Sequence, residues 1–174
     1  EAHAKAMKKI WDFGYITYKR ERTFSLYSKI EDHANDVHDY LKYLKFGYGR
    51  ATDDASMEIR HKRITHKEGL ALIREYDSRE PSTLPLYCDF LGITVDNFYQ
   101  LVEPQRDLDI WEKIDGRWCT KDSVWGQELN QEAVSFASTI FSGEHTTMYY
   151  NDRCPPAKTG EKALDEFPQN FKWS

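Results

Sequence analysis

The chain has 174 residues, of which 40% are hydrophobic and 30% are charged, and its formal net charge is −5 at pH 7. This composition is typical of one folded domain, alone or with a long tail, and it argues against disorder throughout the chain. Acidic and basic residues are interspersed, so the charge pattern supports binding neither to nucleic acid nor to a membrane surface.

The cysteines and the first residues indicate the cellular compartment of the chain and its relation to a longer protein. Cys88, Cys119 and Cys154 are odd in number and roughly thirty residues apart, which fits neither a disulfide framework nor a CxxC metal site, so we expect a reducing cytoplasm. No stretch approaches the roughly 18 apolar residues of a membrane span, and the first residues have no signal-peptide core. The chain opens inside a helical pattern without an initiator Met, and we therefore expect it to be a piece of a longer protein.

Residues 13–24, FGYITYKRERTF, alternate in hydropathy like a strand, which we expect to pair with a sheet outside this chain. The first long helix is predicted to begin at a capping box formed by Ser28 and Glu31. Its apolar residues recur at helical spacing, namely Ile30, Val37, Tyr40, Leu41 and Leu44. Gly47 and Gly49 are predicted to end this helix.

Two shorter helices are predicted next. Thr52 is the expected N-cap of the first, which continues through residues 55–60. Thr65 and Glu68 form a second capping box, and the helix that it opens is expected to stop near Asp77. The apolar face of that helix consists of Leu70, Ile73 and Tyr76.

A further pair of helices is separated by a glycine. Gly92 provides the C-terminal stop of the first, and Thr94 starts the second, which Pro104 closes. The predicted apolar faces consist of Leu84, Tyr87, Phe90 and Leu91 in the first helix, and of Phe98, Leu101 and Val102 in the second.

A small β-hairpin is predicted around Asp115 and Gly116, because this pair tolerates the positive φ angles of a tight turn. One more helix is expected at residues 127–141, and prolines and glycine break the pattern beyond it. The sequence therefore predicts a mainly α fold of several short amphipathic helices with one hairpin. We place a helical domain at residues 1–124 and a partly irregular C-terminal extension at residues 125–174.

The histidines and many aromatic residues are interpreted as structural. His33 and His38, like His61 and His66, are five residues apart, whereas metal ligands on one helical face are three or four apart, so we expect no metal site. Aromatic residues expected to pack, rather than to stack on bases, are Trp11, Tyr15, Tyr18, Tyr27, Tyr40 and Tyr43.

The segment KFGYGRATDDAS gathers charged, hydroxyl and glycine residues around the start of the second predicted helix. Gly47 and Gly49 let the backbone approach a ligand closely, and free amides at the helix N-terminus favour negative charge. Arg50 can hold a phosphate or a carboxylate with two hydrogen bonds. The alternative is that Arg50 pairs with Asp53 or Asp54 and only braces the helix.

Three long segments carry a family resemblance, namely HDYLKYLKFGYGRATDDASMEIRHKRITHKEGLALIREYD at residues 38–77, FLGITVDNFYQLVE at residues 90–103 and DIWEKIDGRW at residues 109–118. They resemble the C-terminal region of the N-acetyl sugar amidotransferase family. The resemblance covers roughly residues 8–124, whereas residues 125–174 have no counterpart in it.

The resemblance implies an enzyme in which ATP, with Mg²⁺, activates the acetamido oxygen of a sugar and ammonia displaces it, giving an acetamidino group. The sugar, nucleotide-linked or free, is then a precursor of a bacterial surface glycan, in O-antigen or nonulosonic-acid biosynthesis. The implied partners are an N-terminal ATP-binding domain, a glutaminase subunit that supplies ammonia and a cyclase-like protein. Association into a homodimer stays open.

One family motif is missing from this sequence. The ATP-pyrophosphatase loop, of the type Ser-Gly-Gly-x-Asp-Ser after a strand, does not occur in it. A pyrophosphate site needs consecutive free backbone amides, so we expect that this chain alone does not hydrolyse ATP.

The segment KFGYGRATDDAS is then expected to contribute acceptor-sugar binding when the chain lies against the ATP-binding domain. Lys45 and Arg50 are expected to bind the anionic part of the substrate, and Arg60 is a further candidate on the next turn. The residues expected to contact sugar hydroxyls or to position these cations are Thr52, Asp53 and Asp54.

Two other functions stay open. A helical interaction module, which scaffolds the glutaminase or a second copy, predicts an exposed apolar patch that includes Trp11, Phe13, Tyr15 and Tyr18. An independent small-ligand binding domain predicts a closed pocket of roughly 300 Å³ or more.

Overall fold

Six α-helices and one β-hairpin make up the part of the chain that the computed structural model describes, which is residues 20–25, 34–121 and 127–142 together with Phe13. In chain order these are α1 Ala34–Phe46, α2 Arg50–Arg60, α3 His66–Tyr76, α4 Leu84–Leu91, α5 Val95–Val102, β1 Trp111–Ile114, β2 Arg117–Thr120 and α6 Gln131–Ser142, with a 3₁₀ turn at Glu103–Gln105. The prediction of a mainly α fold with one small hairpin is confirmed. In the same residue ranges, no helix combines the length and the apolar character needed to cross a bilayer.

Local capping signals locate two helix starts correctly. The Thr65 hydroxyl accepts a hydrogen bond from the Glu68 amide at 3.2 Å, and the Glu68 carboxylate accepts one from the Thr65 amide at 2.7 Å. This reciprocal pair satisfies two amide groups that α3 itself leaves unpaired. At α5, the Thr94 hydroxyl accepts from the Asn97 amide at 3.1 Å. Gly92 follows α4 with a φ of +71°, as a helix C-terminal stop requires.

The predicted start of α2 is wrong. The helix begins at Arg50 with Gly49 as its N-cap, and Thr52 lies inside its first turn. Thr52 does not need to cap the helix because the carboxylate of Asp77, just after α3, accepts hydrogen bonds from the first amides. The predicted capping box of α1, Ser28 with Glu31, lies outside the described residues.

Within the described ranges, two hydrophobic clusters form the core. The first joins α2, α3 and α6 through Phe24, Ala51, Ala55, Ile64, Ala71, Leu72, Ile73, Tyr76, Ala133, Ala137 and Ile140. The second joins α1, α4 and α5 through Val37, Tyr40, Leu44, Leu84, Cys88 and Phe98. The helix predicted near residues 127–141 is therefore confirmed as α6, and it packs on α3. The division of the chain at residue 124 stays a prediction.

The predicted apolar faces of α4 and α5 are only partly buried. Leu84 and Phe98 enter the second cluster, but 84% of Phe90 is exposed, and Leu91 and Leu101 are exposed as well. The reason is that α4 and α5 are eight residues long and pack on α1 from one side, so only part of each apolar surface meets a neighbour.

The strand expected at residues 13–24 is absent from its described part, residues 20–24, and residues 14–19 lie outside the described ranges. Arg20 and Arg22 are buried, and their side chains, rather than a backbone ladder, attach this segment to the core. Arg22 donates to the carbonyl of Tyr76 at 3.0 Å and to that of Asp77 at 2.6 Å. Among the N-terminal aromatic residues expected on the surface, Phe13 is exposed, and Trp11, Tyr15 and Tyr18 lie outside the described residues.

The hairpin forms as predicted. Asp115 and Gly116 have φ values of +49° and +80°, the pattern of a two-residue turn that follows the natural twist of the strands. β1 and β2 are antiparallel, with Ile114 opposite Arg117 and Trp111 opposite Thr120.

Candidate functional site

The corner between α1 and α2 is closed by the base of the hairpin. Gly47 joins the helices with a φ of +74°, and a Cβ atom at this position would lie 2.8 Å from Ile110 Cγ2 and 2.9 Å from Thr120 Cγ2. Both the backbone conformation and the close contact require glycine here. The residues on either side of Gly47 are therefore held by rigid elements.

The N-terminus of α2 is already occupied by a carboxylate of the protein. Asp77 accepts hydrogen bonds from the amides of Gly49 at 2.8 Å and Ala51 at 3.0 Å, and from the Thr52 hydroxyl at 2.5 Å. A Cβ atom on Gly49 would lie 2.5 Å from the Asp77 carboxylate. Burial raises the pKa of Asp77, although these hydrogen bonds oppose the shift. The amides that we expected to be free for a ligand thus hold Asp77, and Gly49 and Thr52 face this carboxylate.

Arg50 is held by a carboxylate on α1. Its Nη2 and Nε atoms lie 3.2 Å and 3.5 Å from the two oxygens of Asp39, which is buried. Arg20 donates to Oδ2 of the same carboxylate at 2.7 Å. Burial lowers the pKa of Arg50, but the hydrogen bond and the charge of Asp39 outweigh it and raise the pKa.

The geometry leaves part of Arg50 available. Its side chain is 39% exposed, and Nη1 makes no hydrogen bond to any residue in the described ranges. The partner expected from sequence was Asp53 or Asp54, whereas the structure places Arg50 on Asp39. A guanidinium that is fixed on one edge and open on another can still bind an oxyanion.

Asp53 and Asp54 point in different directions despite being neighbours. Asp53 is exposed and forms an ion pair with Lys42 on α1. Asp54 is 4% exposed and accepts a hydrogen bond from the Thr23 hydroxyl at 2.5 Å. Burial raises the pKa of Asp54 to about 6, because the hydrogen bond from Thr23 and the charge of Arg50 compensate only in part. Only Asp53 therefore lies on the surface with Arg50.

The two remaining predicted cations lie in different places. Lys45, on the last turn of α1, forms no ion pair among the described residues, and its Nζ atom lies 5.0 Å from the centroid of the Phe46 ring. Arg60 is exposed on the last turn of α2, about 15 Å along the helix axis from Arg50. The structure thus brings Lys45 and Arg50 to the same corner and leaves Arg60 away from it.

Sequence reasoning missed four residues of this corner, which are Asp39, Lys42, Tyr48 and Asp77. Tyr48 and Lys42 carried a local signal, because one lies in the segment KFGYGRATDDAS and the other stands three residues before Lys45. Asp39 and Asp77 are 11 and 28 residues from the groups that they bind, and no local pattern indicates such pairs.

Comparison with known proteins identifies the family. A family model described as LPS biosynthesis protein WbpG-like, C-terminal domain, matches residues 21–124. No curated protein matches the chain. The matched residues contain α1 to α5, the hairpin and the corner, and the match agrees with the C-terminal resemblance found in the sequence. The chain therefore belongs to the WbpG-like family of lipopolysaccharide biosynthesis proteins and carries its C-terminal domain, which gives it a role in glycan biosynthesis.

Proposed function

We propose that this chain is the C-terminal part of an ATP-dependent amidotransferase that converts an acetamido group of a surface-glycan precursor sugar into an acetamidino group. Its contribution is to bind the acceptor sugar at the corner between α1 and α2. The observation that carries this assignment is Arg50, fixed on buried Asp39 with one edge of its guanidinium free and with Lys45 on the adjoining helix turn.

The chemistry explains what such a corner has to do. ATP activates the amide oxygen, ammonia attacks the amide carbon, and the oxygen leaves with the activating group as the C–N bond forms. The sugar must be held still while these bonds change, because correct orientation removes much of the entropic barrier. Arg50 and Lys45 bind the anionic part of the sugar substrate, and the exposed carboxylate of Asp53 accepts hydrogen bonds from its hydroxyl groups.

ATP and Mg²⁺ belong to another part of the protein in this proposal. The helix N-terminus in the corner does not fit a pyrophosphate group, because the carboxylate of Asp77 already binds its amides. We assign both to the N-terminal ATP-binding domain that the family resemblance implies. A glutaminase subunit and a cyclase-like partner supply ammonia, and the reaction takes place in the cytoplasm, on the way to O-antigen or a nonulosonic acid.

The test is amidotransfer by the full-length enzyme, with ATP, an ammonium salt and a panel of nucleotide-linked and free acetamido sugars. Replacement of oxygen by NH lowers the product mass by about one unit, which mass spectrometry detects. Arg50→Ala is expected to raise KM about tenfold or more, because a charged hydrogen bond to the substrate is lost. Arg60→Ala is the matched control on the same helix and is expected to have no effect.

Two results would contradict the proposal. The absence of any mass shift across the panel would exclude the amidotransfer reaction. Equal kinetics for Arg50→Ala and the wild type would exclude the corner as the acceptor site.

An interaction module for the glutaminase, or for a second copy of the chain, is the second candidate. The observation that favours it is the exposed apolar surface on α4, where Leu86 and Phe90 are one helix turn apart. Under this function, Phe90→Glu would abolish co-elution with the glutaminase or self-association in size-exclusion chromatography, and Arg50→Ala would leave both unchanged.

A further inference from the structure

Two exposed aromatic rings stand on either side of Gly47. The Phe46 and Tyr48 rings lie 6.4 Å apart between centroids and are inclined by 38° to each other. They are 40% and 42% exposed, so a ligand in solution can reach part of each ring. We refer to these two side chains as the aromatic platform.

Each ring of the aromatic platform carries a lysine. Lys42 Nζ lies 4.4 Å from the centroid of the Tyr48 ring, and Lys45 Nζ lies 5.0 Å from that of Phe46. Attraction between an ammonium group and the ring face holds the charges next to the apolar surface. The surface therefore combines flat apolar faces with two positive charges, one of which is balanced by Asp53.

The base of the hairpin and the last turn of α1 fix the position of the aromatic platform. Ile110 and Thr120, at the base of the hairpin, leave no room for a side chain at Gly47. The helix turn before Phe46 is closed by the hydrogen bond from the Gly47 amide to the Tyr43 carbonyl at 2.8 Å. A surface that is already ordered loses little conformational entropy when a ligand binds to it.

We propose that the aromatic platform is the binding surface for the sugar ring of a phosphorylated N-acetyl sugar. The C–H face of the pyranose packs on Tyr48 and Phe46, and the ammonium groups of Lys42 and Lys45 join Arg50 in binding the phosphate. The choice of a sugar rests on the proposed function, whereas the choice of an aromatic and cationic surface rests on geometry alone.

The surface distinguishes between ligands by two different interactions. A free sugar makes only the ring contact, and inorganic phosphate makes only the charge contact. A phosphorylated sugar makes both at once and therefore binds more tightly than either. The Tyr48 hydroxyl makes no hydrogen bond within the described ranges, so the ring rather than the hydroxyl is expected to matter.

The experiment uses this 174-residue chain with N-acetylglucosamine 1-phosphate, N-acetylglucosamine and inorganic phosphate as probes. Saturation-transfer NMR detects sugar ring protons that lie on aromatic protons of the protein, and titration gives the affinity. The phosphorylated sugar is expected to bind about tenfold more tightly than the free sugar, with transfer to its ring protons. Inorganic phosphate is expected to compete only weakly.

Variants separate the two interactions. Tyr48→Ala is expected to remove the saturation transfer and to lower the affinity about tenfold, whereas Tyr48→Phe keeps the ring and should retain both. The double change Lys42→Gln and Lys45→Gln is expected to lower the affinity for the phosphorylated sugar towards that for the free sugar. Tyr87→Ala, on α4, is the control for a partly exposed tyrosine elsewhere.

The proposal is overturned if the wild-type chain shows no saturation transfer, if Tyr48→Ala leaves the transfer unchanged, or if inorganic phosphate competes as well as the phosphorylated sugar.

In the full-length enzyme, Tyr48→Ala should raise KM about tenfold and leave kcat within about twofold. Sugar binding by this chain without amidotransfer by the full-length enzyme would reject the proposed reaction and keep the aromatic platform. Amidotransfer with an unchanged KM in Tyr48→Ala would keep the proposed reaction and reject the aromatic platform.

Discussion

Asp54 shows how a single buried carboxyl group makes stability depend on pH. Its pKa is raised to about 6 in the folded chain, compared with about 3.9 for an aspartate in an unfolded chain. Between these values the folded state binds more protons than the unfolded state, so stability falls as pH rises from about 4 to about 6. Above pH 6 the full penalty is present, and two pKa units correspond to about 3 kcal/mol.

Asp54→Asn should remove this penalty, because an amide carries no charge and can still accept the hydrogen bond from Thr23. We expect the free energy of unfolding to rise by about 1–3 kcal/mol at pH 7.5 and to change little at pH 4. Urea unfolding at several pH values measures this. Asp53→Asn, at the exposed neighbouring position, is the control and should leave the pH dependence as it is. Burial also raises the pKa values of Asp36 and Asp77, so the free energy of unfolding of the variant should still depend in part on pH.

The same residues show the limit of reasoning from sequence. The signals at Gly47, Arg50 and Lys45 indicate this corner as the candidate site, because glycines and charges around a helix start form a local pattern. The different surroundings of Asp53 and Asp54 were not predictable, because Thr23 and Lys42 reach them from other elements. The sequence therefore predicts where a candidate site lies but not which of its side chains reach the surface.

At the scale of elements, a buried ion pair lies at the C-terminal end of α2. Both oxygens of the Glu58 carboxylate accept hydrogen bonds from the guanidinium of Arg63, and Glu58 is 0% exposed. Removing one partner of a buried pair is strongly destabilising, so Glu58→Ala is expected to cost about 3–5 kcal/mol of stability. The free energy of unfolding in urea measures the loss. Asp53→Ala breaks the exposed pair with Lys42 and should cost at most about 1 kcal/mol; a similar loss in both variants would contradict this account.

Element boundaries were predictable where the capping group is local. The partners of these capping and turn residues lie within four residues along the chain, as at Thr65 with Glu68, at Thr94 and at the Asp115-Gly116 turn. The start of α2 was mispredicted because its cap, Asp77, comes from the far end of α3. The exposure of Phe90 was missed for a similar reason, since the apolar face of a helix does not reveal how much of it a neighbour covers.

On the scale of the whole molecule, Arg22 connects the two hydrophobic clusters. Its guanidinium donates to the carbonyls of Tyr76, Asp77 and Arg79 at the end of α3. It also lies 5.0 Å from the centroid of the Tyr40 ring, which belongs to the second cluster. Burial lowers the pKa of Arg22, and the charge of Asp77 opposes this shift.

Arg22→Met should therefore weaken the coupling between the clusters, because it removes the hydrogen bonds that the guanidinium donates to these carbonyls. We expect the variant to exchange its amide hydrogens faster than the wild type, and we expect this acceleration to be at least about tenfold larger in α1, α4 and α5 than in α2, α3 and α6. Hydrogen exchange followed by mass spectrometry resolves the two groups of helices. Arg60→Met changes an exposed arginine and should leave exchange unaltered, and uniform acceleration in Arg22→Met would argue for one indivisible core.

The position of α6 has a practical consequence for work with this domain. The family match ends at residue 124, yet Ala133, Ala137 and Ile140 cover one side of α3. A shorter recombinant fragment cut at the family boundary would expose the apolar side of α3 on which these residues pack, and such exposed apolar surface promotes aggregation. Expression boundaries for crystallisation or NMR should therefore extend at least to Ser142, the last residue of α6.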